Sequence, residues 1–187
     1  MLKKVLVIFV CMLLFCANAG ADDIKQRYAV ITHDKEIAKA LYILEQTTGE
    51  KYIKVLRGRN SSKQPIKIQF RNFNTLSYDH HNLYAFVKKE DEFWYIYINA
   101  ELIDEPPAAL APLIAGKTIH GDTNFQLDRK IASAKIEAEV WTKVLQKYPD
   151  SANGISELVN YEDELKAAYE KGTLQDYAEW HIKVIQN

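Results

Sequence analysis

Residues 95–141 read YIYINAELIDEPPAALAPLIAGKTIHGDTNFQLDRKIASAKIEAEVW. The alternation of Tyr95, Ile96, Tyr97 and Ile98 predicts a strand. Pro106 and Pro107 suit the first turn of a helix, where an N–H would have no partner anyway. A helix is therefore expected over 108–120, with Leu110, Leu113, Ile114 and Ile119 as its apolar stripe. Pro112 lies early enough for the first turns to absorb it, and Gly121 and Asp122 end the helix. A second, longer helix is expected over 128–148. Ile131, Ala134, Ala138, Trp141, Val144 and Leu145 face inward, and Pro149-Asp150 is the stop. Strand, turn, helix carrying His120, second helix: this order organises the rest of the chain.

Working outward, residues 83–87 and 93–98 flank the charged turn 88–92 and read as a β-hairpin. Upstream, PIKIQFRNF at 65–73 alternates Ile66, Ile68 and Phe70 against Lys67, Gln69 and Arg71, a half-buried strand. A polar loop precedes it at 57–63, and residues 51–56 alternate enough to predict another strand. Residues 34–48 predict a helix, with Asp34 as N-cap, Glu36 in the first turn and Gly49 as C-cap. Beyond residue 150, two shorter helices are expected over 155–171 and 173–185, separated by Gly172. These elements predict a single α+β domain: an N-terminal helix, a small, mostly antiparallel sheet, then the His120 helix and a C-terminal helical part.

The first 21 residues read as a secretory signal. Lys3 and Lys4 precede an apolar run from Val5 to Phe15, with cleavage expected after Ala19 or Ala21. That run is shorter than the ~20 residues of a bilayer span, so no transmembrane segment is expected once the signal is removed. The expected location is periplasmic or secreted. Lipidation at Cys16 is disfavoured, because Phe15 is bulkier than the small residue such sites prefer. Cys11 and Cys16 are the chain's two cysteines, and both fall within the signal. Residues 22–187 therefore offer no disulfide and no thiol chemistry. Without Lys3 and Lys4 the 24 basic residues become 22 against 25 acidic, a net charge of −3. Scattered bases at that balance argue against a nucleic-acid partner.

The segments PIKIQF, WYIYIN and PPAALAPLIA, leading into the pentad at 116–120, resemble secreted bacterial zincin-like metallopeptidases over roughly residues 65–145. In that family a strand precedes a helix bearing H-E-x-x-H, whose histidines bind zinc and whose Glu is the general base. Position by position, the first ligand falls on Gly116, the base on Lys117 and the second ligand on His120. The third ligand, often Glu, would come from the start of the next helix, where the chain offers Asp128, Arg129 and Lys130. The resemblance therefore implies a zincin-like scaffold with a degenerate motif, reading GKTIH. A glycine has no donor, a protonated lysine is no base, and one imidazole does not hold zinc. Lys117 with Arg129 or Lys130 would instead place cations near the former metal position, paired with Asp122, Asp128 or Glu137.

Each further candidate has two readings. His120 is a residual metal ligand or a capping and packing group. Glu137 and Glu139 are late ligands or a solvated helix face. Asp79-His80-His81 is a metal-binding loop or simply a polar connection between strands. Trp94, Tyr95 and Tyr97 are a stacking edge or core and cross-strand pairs. His181 beside Trp180 reads as surface. Together these predict a pseudoenzyme: a secreted, catalytically inactive zincin-like protein without a cofactor. It would bind an extended peptide or an envelope protein along the old substrate cleft. The alternative is an active zinc-dependent peptidase whose site is drawn from His120, Glu137 and the His80/His81 loop. A weaker third reading is a structural or inhibitory partner of an active relative.

Overall fold

The structure, a computed structural model, describes residues 22–58, 64–76, 83–119, 127–153 and 156–179. Its α+β architecture is a three-stranded sheet covered on one face by helices. Helix α1 (22–27) leads through a turn into α2 (Lys35–Thr48). Asp34 caps α2 as expected, its carboxylate accepting from the Glu36 and Ile37 N–H groups. Gly49 ends it at φ 66, a left-handed conformation that costs glycine nothing. The two helices are joined by the buried Glu45 carboxylate, which accepts from the Tyr28 hydroxyl and, at 2.9 Å, from Arg27.

Residues 51–56 correct the sequence reading: they form helix α3 (Lys51–Leu56), not a strand. Strict alternation would bury Lys54 with Tyr52 and Leu56. The chain instead buries Tyr52, Ile53 and Leu56 and leaves Lys54 outside, 3.0 Å from Glu50 one helical turn away. A short run cannot reveal this choice, because either period fits it and packing decides.

The expected strands are present as β1 (Lys67–Arg71), β2 (Ala85–Glu90) and β3 (Phe93–Asn99). Lys88 to Glu90 belong to β2, so the hairpin turn is only Asp91-Glu92, with Asp91 at φ 53. The sheet order is β1-β3-β2. The expected antiparallel character holds only for β2–β3: β1 runs parallel to β3, with Ile68 opposite Ile96 and Phe70 opposite Ile98. The outer edge of β1 is partly closed, because the Ile68 N–H donates to Ile31 and Lys67 Nζ to the Val30 carbonyl.

Pleating gives the sheet two apolar sides. Ile68, Ala85, Val87, Ile96 and Ile98 face the helices in the main core. Phe73, Phe86 and Tyr97 form a smaller aromatic cluster, with Tyr95 stacked on Tyr97 at 5.4 Å. Thus Tyr95 and Tyr97 are cross-strand and packing residues. Tyr97 also donates to Glu90 at 2.6 Å, and with Lys88 and Arg71 this hydrogen bond holds the Glu90 carboxyl down at about 2 against partial burial.

Helix α4 (Pro107–Lys117) runs through the centre, against α2, α5, α6 and β2. The stripe expected of it is a correction: every residue from Ala108 to Gly116 is buried, so the helix is apolar all round. Pro112 is its sixth residue rather than part of the first turn. Helix α5 (Leu127–Lys147) and α6 (Glu157–Glu170) pack on α4, and α7 (174–179) adds Leu174 and Ala178. Among the described residues, no helix is long and apolar enough to cross a membrane. The signal expected at 1–21 lies outside them.

Candidate functional site

Gly116 and Lys117, to which the resemblance assigns the first ligand and the base, sit at the end of α4. The residue facing them from α5 is Glu137, only 1% exposed. A Cβ added to Gly116 would overlap the Glu137 side chain, whose carboxyl group fills the space a larger residue would need. Gly116 is thus a glycine inside a helix, normally unfavourable by ~1 kcal/mol, because its neighbour requires the room. Gly116→Ala should therefore lower stability by about 1–2 kcal/mol in urea unfolding, as overpacking outweighs the gain in helix propensity. An increase would mean that Glu137 yields freely.

Among the described residues, three donors converge on Glu137. Ser133 Oγ, one turn earlier on α5, donates to Oε1 at 2.8 Å. Lys117 Nζ lies 3.5 Å from the same oxygen, and the Tyr161 hydroxyl of α6 donates to Oε2 at 3.3 Å. Lys117 is 17% exposed, so this ion pair is largely withdrawn from water. Glu137 is therefore not on a solvated face; Glu139, two residues on, is 39% exposed and accepts from Tyr169.

Beside this pair lies a second carboxyl group that the sequence reading missed. Glu162 of α6 is 0% exposed, and among the described residues neither of its oxygens has a hydrogen-bond partner. Burial first, then the charge of Glu137, pushes its pKa well above the usual carboxylate range, with Asp163 adding and Lys117 opposing. Lys130 belongs to the same neighbourhood: burial and then Lys117 lower its pKa. The arrangement is an ion pair between Lys117 and the buried Glu137, with the buried Glu162 carboxyl group of α6 beside it. A signal was present, since Glu162 falls on the same helical face as Leu158 and Leu165, both buried.

The zinc that the resemblance implies can be tested against these residues. Gly116 supplies no donor, Lys117 brings a positive charge, and Glu137 is engaged by that lysine, Ser133 and Tyr161. This set does not fit a zinc ion, which needs three or four donors within ~2.3 Å. Among the described residues, no group of three His, Cys, Asp or Glu is arranged to hold a metal. His120, Asp122, the Asp79-His80-His81 loop and His181 lie outside the described residues. Asp128, Arg129 and Lys130, the expected third-ligand positions, stand in the first turn of α5, two turns or more before Glu137. Comparison with protein-family models, with curated proteins and with solved structures found no match.

Proposed function

We propose that this chain is a secreted, non-catalytic binding module of the bacterial envelope, built on a zincin-like scaffold whose site has been filled by an ion pair. The observation that carries the reading is the Lys117–Glu137 contact. Where a hydrolase of that kind would place a ligand and a general base, this chain has a glycine with no room to grow and an ammonium group paired with a buried carboxylate. A protonated lysine engaged in that way does not abstract a proton from water. The partner class we propose is an extended peptide that adds alongside the sheet's outer strand β2.

The test uses the mature protein, dialysed against zinc and incubated with a mixed library of short peptides. The expected result is metal well below one per chain, with peptides retained intact when the complex is separated by size. Stoichiometric zinc together with cleavage that a chelator stops would overturn the non-catalytic reading. Peptides neither retained nor cleaved would remove the binding half of the proposal.

A further inference from the structure

We infer that helix α6 is a proton-controlled flap over α4 and α5, held down while Glu162 is neutral and released when that side chain ionises. The inference stands apart from the zincin-like reading, because it rests only on how α6 is packed.

Among the described residues, Glu162 is fully buried with both oxygens unpartnered, whereas its neighbour Glu137 accepts from Ser133 and Tyr161. Lys117, the cation that opposes the rise in its pKa, is already paired with Glu137. An ionised Glu162 would therefore be a second buried negative charge beside the first, without a hydrogen bond to replace water. Neither acid is open to solvent, so no substrate reaches them in this conformation, and proton release can act only on the packing.

The packing allows a local response. The main core joins α2, α3, the sheet, α4 and Val140, Trp141 and Val144 of α5, and α6 adds Leu158 and Val159 to it. Leu165 and Ala168 belong to a separate small cluster with Ala134, Ala138 and Leu174. Lifting α6 would expose the Lys117–Glu137 pair while leaving the contacts among α2, α4 and the sheet in place.

The direction of the pH dependence follows from the groups around Glu162. Burial, Glu137 and Asp163 raise its pKa, and Lys117 only partly offsets them. A carboxyl group raised in the folded state stabilises the fold fully below its unfolded pKa. That contribution is lost as pH rises through the folded value. The neighbouring tyrosines do not compete: burial pushes the hydroxyls of Tyr161 and Tyr177 upward. Lys130, lowered by burial and by Lys117, also loses charge on the alkaline side, so a Glu162 variant is needed to separate the two.

The experiment is amide hydrogen exchange on the native protein, read as protection factors for α6 relative to α2 from about pH 6 to about pH 9. Wild type should lose protection in α6 by on the order of tenfold while α2 holds, and Glu162→Gln should abolish the difference. Equal loss in α6 and α2, no loss in α6, or the same loss in the variant would each overturn the proposal. Should Glu162→Gln not fold, Glu162→Met serves in its place. Infrared spectroscopy of wild type gives an independent check: the carbonyl band of a protonated carboxyl group should persist at neutral pH and vanish on the alkaline side. Its absence at neutral pH would also overturn the proposal.

Discussion

Lys117→Met should lower the unfolding free energy by about 3–5 kcal/mol at neutral pH, the range for breaking a buried ion pair by removing one partner. Methionine keeps most of the lysine's length, so little packing is lost. What is lost is the ammonium beside a carboxylate that is 1% exposed. Ser133 and Tyr161 remain as donors and place the effect toward the lower end. The double variant Lys117→Met/Glu137→Met should recover most of the loss, because a buried pair replaced by apolar groups of similar size is often neutral or stabilising. Urea unfolding of wild type, both single variants and the double variant completes the cycle. A loss below about 1 kcal/mol in Lys117→Met would mean the pair behaves as an exposed one.

Trp141→Ala should cost about 3–5 kcal/mol, against a total stability of about 5–15 kcal/mol for a domain of this kind. Trp141 is the largest of the fully buried side chains. Its indole N–H crosses from α5 to α6, donating to Asp163 at 2.7 Å. Alanine removes the ring and leaves a cavity among helices already in close contact. Trp141→Phe retains an aromatic ring but drops the hydrogen bond, and should lose markedly less. Thermal unfolding of the two variants separates volume from hydrogen bonding. Equal losses would assign the effect to the Asp163 contact, and a small loss in both would show that α6 does not depend on this anchor.

Much of the fold was legible because local signals agreed with tertiary ones. Asp34 and Gly49 mark both ends of α2, and the alternation of β1 and β3 announces one face of a sheet. Residues 51–56 were misread because six residues fit two periods, and only burial of Ile53 with Leu56 selects the helix. Helix α4 looked amphipathic because Ala108, Ala109 and Ala111 are indifferent to their surroundings. They are buried because α2, α5, α6 and β2 surround the helix, a fact no periodicity carries.

The same holds for the site. The sequence by itself determined that the chain carries a capped helix, a hairpin, a long helix from about residue 128 and further helix after residue 150. It also offered Glu137 as a partner for Lys117. Only the tertiary structure chose Glu137 over Asp128, turned β1 parallel to β3, and enclosed Glu162 without a partner among the described residues. The physical reason is range. Capping, turn chemistry and periodicity act over a few residues and are written in order along the chain. The environment of a carboxyl group is set by residues 20 or more positions away, as with Lys117 and Glu137, and exists only once the helices have packed.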